Sequence, residues 1–167
     1  MLVGYKCFND DLTNNYGFQF EIGKIYSVEG EIRAGLNGNG YHMCKNIEDT
    51  FRYYGGINND KIVVCEVVGD GKIVSFSDEY YGYYEMYSVE KIEIVRKLER
   101  SEIIEMALNF NEIRIIRFIQ TFKLFPCEVM LFQKKFERYF NVLKAIDYYQ
   151  NGILDVYDIK NAFSRRK

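Results

Sequence analysis

Tryptophan is absent, proline occurs once (Pro126) and histidine once (His42). With His42 as the sole imidazole, any mechanism that needs a histidine base must use it, and a histidine-rich metal centre is excluded. Cys7, Cys44, Cys65 and Cys127 lie far apart and form no CxxC pair, so four free thiols and no metal site are expected. No stretch approaches the roughly 18 apolar residues of a membrane span. Residues 1–11 hold Lys6, Asp10 and Asp11 and no apolar run of signal-peptide length. A cytoplasmic protein with no membrane association and no cofactor is the expectation.

The 167 residues suffice for one ordinary domain or two small ones, and a core of that size forms without metal or disulfide staples. Hydrophobic residues make up 48% and charged residues 28%, a globular balance that excludes a disordered chain. Tyrosine (15) and phenylalanine (13) are over-represented, but both have AT-rich codons, so the excess alone does not indicate a binding surface. The net charge of −2 hides a division: residues 1–99 carry 10 basic against 16 acidic side chains, and residues 100–167 carry 12 against 8. A basic C-terminal half could meet an acidic partner or nucleic acid, although helices also need polar faces for solubility.

The spacing of apolar residues predicts an α+β protein: a mostly antiparallel β domain with one short helix over residues 1–99, then a module of three to four helices over 100–167. Gly4 to Phe8, Phe18 to Glu21 and Lys24 to Val28 read as short strands, and the glycines of residues 29–40 as a loop. Tyr41 to Cys44 reads as a strand entering a helix capped by Asn46 and stopped at Gly55-Gly56. The β-branched run Lys61 to Val68 predicts a central strand, and Gly69-Asp70-Gly71 predicts a hairpin into Lys72 to Phe76. Val89 to Leu98 reads as the last strand. Beyond it the period changes to about 3.6. One helix starts near Ser101, a second carries Ile115, Phe118, Ile119 and Phe122, and Phe125-Pro126 breaks it. A third is predicted from Cys127 to Tyr149, with Val129, Phe132, Phe136, Phe140 and Leu143 on one stripe, and Leu154 to Phe163 predicts a short fourth. Their apolar stripes need cover, either from the β domain or from a second copy in a homodimer.

Several clusters carry chemistry. His42 and Cys44 share one face of a strand, about 6 to 7 Å apart at Cα; a cysteine–histidine pair there competes with a plain buried thiol. The glycine-rich segment Gly35 to Gly40 lacks the lysine and hydroxyl of a phosphate loop. Tyr80, Tyr81, Tyr83 and Tyr84, set among Asp78, Glu79 and Glu85, form a candidate recognition surface or cover the end of the sheet. Lys134, Lys135, Arg138, Arg165, Arg166 and Lys167 are candidate phosphate contacts.

The segments GYKCF, YGFQFEIGKIYSVEG, GNGYHMCKNIEDTFRYY and VCEVVGDGKIV, in that order between Gly4 and Leu98, resemble a little-characterised domain family common in proteins of bacteriophages and other mobile elements. That resemblance implies a genomic setting and no transferable activity. The order of elements around Gly40-Tyr41-His42 and the run from Tyr84 to Ile92 is also distantly similar to ADP-ribosyltransferases. The similarity implies Tyr41, Phe51 and Tyr54 beside NAD and Glu85 as the catalytic carboxylate. Lys6 stands where that family has arginine or histidine, and its Ser-Thr-Ser pattern is missing. The function expected first is a non-enzymatic interaction module that binds and occludes a host protein or nucleoprotein complex, such as a CRISPR-type defence assembly. NAD-dependent transfer and nucleic-acid binding through the helical module are the alternatives.

Overall fold

A computed structural model describes residues 1–33, 35, 38–52, 61–77, 85–150 and 152. It is α+β, with an antiparallel sheet in the N-terminal part and helices in the C-terminal part. Two compact units divide the chain, Met1–Tyr54 with Lys61–Ile103 and, among the described residues, those from Ile104 onward.

The first unit is built on five strands: β1 (Leu2–Phe8), β2 (Ile25–Ser27), β3 (Tyr41–Cys44), β4 (Val63–Ser77) and β5 (Glu85–Lys97). Their order is β2-β5-β3-β1-β4, and β4 pairs again with β5. Four strands therefore close into a ring, with β2 on the flank of β5. Closure is possible because β4 and β5, of 15 and 13 residues, are long: β4 pairs with β1 and β5, and β5 pairs with β4, β3 and β2. The ring encloses Phe8, Phe20, Met43, Val63, Cys65, Val67, Val89, Ile92 and Ile94. The β-branched run at 63–68 supplies much of this core and lies between β1 and β5, as its composition predicts.

Gly69-Asp70-Gly71 does not turn the chain. β4 runs straight through it, and the register against β5 shifts between Asp70 and Ile73. The segment is a bulge, with Gly71 at φ 75° and the Glu90 carboxylate accepting the Lys72 amide at 3.0 Å. A glycine-aspartate pair suits either feature locally; the unbroken partner strand decides between them. Phe18 to Glu21 likewise forms no strand. Asn14 Oδ1 accepts the amides of Tyr16 and Phe18, both at 2.9 Å, and satisfies the backbone within a tight loop. Only the isolated bridge Thr13–Gln19 is ladder-like there.

α1 (Ile47–Thr50) follows β3 with Asn46 at the N-cap position. The Asn46 side chain reaches the Asp49 carboxylate at 3.4 Å in place of a helix amide.

In the C-terminal part lie α2 (Arg100–Ala107), α3 (Glu112–Thr121), α4 (Pro126–Lys135) and α5 (Phe140–Gln150). The single helix predicted over Cys127 to Tyr149 is two. Phe132 and Phe136 stay buried and stacked, with centroids 6.1 Å apart, but the break at residues 136–139 turns Phe140 outward to 66% exposure. Val142, Ala145, Ile146 and Tyr149 take the inner face of α5 instead. Pro126 opens α4 from its first turn, where the missing amide costs nothing, and the Phe125 amide donates to Glu128 at 2.6 Å. Leu154 to Phe163 lies outside the described residues.

Gln150 ties this unit together. Its Oε1 accepts the Leu124 amide at 2.9 Å, and its Nε2 donates to the carbonyls of Ile119 at 2.7 Å and Phe122 at 3.3 Å. Gln150→Ala removes three hydrogen bonds to backbone groups, and a loss of about 2 kcal/mol is expected in urea unfolding. A change under about 0.5 kcal/mol would show that water replaces the amide at little cost.

Candidate functional site

A cleft of about 550 Å³ opens in the first unit, within the range of small-molecule sites. β1 contributes Tyr5, Lys6 and Cys7, and β3 contributes Tyr41, His42, Met43 and Cys44. The 14–20 loop adds Asn14, Asn15, Tyr16, Phe18 and Phe20. The two strands share one registered pair, Tyr5–Cys44. The Lys6 ammonium donates to the His42 carbonyl at 2.9 Å.

Aromatic rings make one wall. Phe20 is buried and packs edge-on against Phe18, Tyr26 and Tyr41, with centroids at 4.8, 5.0 and 6.2 Å. Tyr16, 92% exposed, and Phe18, 47% exposed, stand at the mouth. Lys6 shares the inward face of β1 with Phe8, and its Nζ lies 5.6 Å from that ring.

The electrostatics are those of a site with little ionised chemistry. Burial pushes the Cys7 thiol up to about 12, although it donates to Thr50 Oγ1 at 3.1 Å. Burial, with Asp49 nearby, raises the Cys44 thiol as well. His42 is pushed below its ordinary value by desolvation and then by the Lys6 charge. Both partners of the His42–Cys44 pair are therefore uncharged at neutral pH, and no thiolate–imidazolium pair forms. Desolvation also lowers Lys6.

The structure distributes the sequence candidates. Tyr41, His42, Cys7 and Cys44 line the cleft. Phe51 is 1% exposed at the end of α1 and is not among the lining residues. Glu85 is exposed at the start of β5, opposite Ser77, and also lies outside the lining. Tyr54 and Tyr80, Tyr81, Tyr83 and Tyr84 fall outside the described residues, as do Arg165, Arg166 and Lys167. Lys134 and Lys135 are exposed in the last turn of α4, where cations suit the helix dipole, and Arg138 is exposed just beyond it.

Lys6, Tyr16, Phe18 and Phe20 line the cleft although no motif in the sequence marks them as site residues. Lys6 alone carries a periodic signal: Leu2, Gly4, Lys6 and Phe8 alternate on one face, which places a charge on an apolar stripe. Among the described residues no group of three or more histidine, cysteine, aspartate or glutamate side chains could hold a metal ion. Among those residues, too, no helix is long and apolar enough to cross a membrane.

Comparison with curated proteins and with solved structures finds no match. A family model described as a domain of unknown function (DUF7666) matches residues 2–106, which contain the whole strand ring and its cleft. Since that match covers more than half of the 167 residues, the chain belongs to the DUF7666 family, a domain of unknown function.

Proposed function

We propose that the chain is a non-enzymatic protein-interaction module of phage or mobile-element origin. It acts in the cytoplasm by binding and occluding a host protein or nucleoprotein complex, a CRISPR-type defence assembly being the leading class. The mobile-element setting rests on the segment pattern between Gly4 and Leu98. The observation that carries the binding reading is the cleft, whose mouth presents Tyr16 and Phe18 above a buried aromatic wall. Large aromatic side chains dominate interface energetics because they bury much area for few rotatable bonds. The uncharged Cys7, Cys44 and His42 favour recognition over nucleophilic chemistry at this place.

The test is capture from host lysate by the tagged chain, with nuclease treatment in parallel and a Tyr16→Ala/Phe18→Ala variant alongside. A stoichiometric protein that survives nuclease and is held at least roughly tenfold less by the variant is the expected result. Equal capture by a folded variant would remove the cleft from the interface. A partner lost with nuclease would shift attention to Lys134, Lys135 and Arg138.

A further inference from the structure

Among the described residues that line the cleft, Lys6 carries the only full charge, and none is a carboxylate. Its ammonium spends one of three N–H donors on the His42 carbonyl at 2.9 Å. The ionisable groups that act on it are the thiols of Cys44 and Cys7 and no acid. A cation held in an apolar strand face without a counter-ion is costly, so an incoming anion gains what the site itself does not supply. Beside it, His42 lines the same cleft and carries a buried Nε2 with no hydrogen-bond partner among the described residues. A neutral imidazole can donate there.

We infer that the cleft takes a planar ring bearing an anionic oxygen group, with the oxygens on Lys6 Nζ and the ring among Phe18, Phe20 and Tyr41. Two features make the ring part of the specification. Phe18, Phe20 and Tyr41, packed edge-on against one another, line the cleft as an aromatic wall that a planar ring can contact, and a volume of about 550 Å³ is far more than a lone carboxylate or phosphate fills. The anionic group is a carboxylate or a phosphate ester, and both satisfy the same donors. This inference rests on the cleft being the binding face proposed above, and it names the chemistry the partner presents there.

Calorimetry on the full chain with phenylacetate and phenyl phosphate, against benzamide as the uncharged ring and acetate as the ringless anion, tests it. At least one ring-bearing anion is expected to bind roughly tenfold or more tighter than either control. The tighter of the two identifies carboxylate or phosphate as the source. Lys6→Gln, which keeps a donor for the His42 carbonyl and removes the charge, is expected to reduce that affinity by a similar factor. Benzamide or acetate binding as well as the ring anions, or no binding by either ring anion, would overturn the inference even if the variant failed to fold. Because the probes are small molecules, their failure leaves lysate capture untouched. Conversely, probe binding with no captured partner would uphold the ligand chemistry and reject the interaction module.

Discussion

Alanine at Gly4 is expected to lower the unfolding free energy by about 3 kcal/mol, at the upper end of what overpacking a core usually costs. A Cβ at this position falls against the Cys44 carbonyl oxygen and 2.6 Å from Met43 Cε. Met43 could move, but the carbonyl belongs to the Tyr5–Cys44 pair, the registered contact between β1 and β3. Relief of the clash must push these strands apart, and they are adjacent members of a closed ring. Urea unfolding of Gly4→Ala by circular dichroism checks this. A midpoint shift worth less than about 0.5 kcal/mol would mean that the strands slide at little cost.

Alkaline destabilisation is the second large effect. Cys7, Cys44 and Cys65 are buried, and their thiols are raised in the folded state, Cys7 to about 12 and Cys65 to about 11 from 9.0, chiefly by desolvation. The unfolded chain ionises these thiols first as pH rises. Their contribution is therefore complete below pH 9.0 and is lost as pH climbs toward the folded-state values. For Cys7 alone the full span amounts to roughly 4 kcal/mol. Lys6 works the other way: its lowered value means that stability rises with pH as the folded amine gives up its proton before the unfolded one does, in the window below 10.5. Three thiols oppose one amine, so a net fall is expected. Unfolding free energies measured at intervals between about pH 8 and pH 11 should decline, and Cys7→Ala should have the shallower slope. A flat profile in the wild type would disprove the assigned burial of these thiols.

Much of the fold is legible in the residues themselves. The run Ile62-Val63-Val64-Cys65 can be little other than a strand covered on both faces, and the four-residue spacing of Ile115 and Ile119 fixes the inner face of α3. What is not legible is set by distant partners. Nothing near Asp70 says that β5 will continue past the glycines, so a hairpin and a bulge share one local signature. No glycine or proline marks the break after Phe136, and the register of Val142 and Ala145 against the core determines it. The cleft is harder still. Lys6 stands out on an apolar face, but Phe18 and Phe20 reach it through a loop held by the Asn14 side chain, a contact that leaves no periodic trace.

The ring closure also dictates a timetable for synthesis. β1 leaves the ribosome first, yet its partner on one side, β4, begins at Val63, and the ring is complete only when Lys97 has emerged. The β4–β5 ribbon is a local pairing and can form as soon as both strands exist. The β1–β4 pairing closes a loop of more than fifty residues, the longest closure within the ring and the one with the largest entropic cost. Until β5 arrives, nascent chains carry Val63, Cys65 and Val67 without the Val89, Ile92 and Ile94 side chains of their core cluster. Stalled or truncated products ending before Glu85 are the species most prone to aggregate.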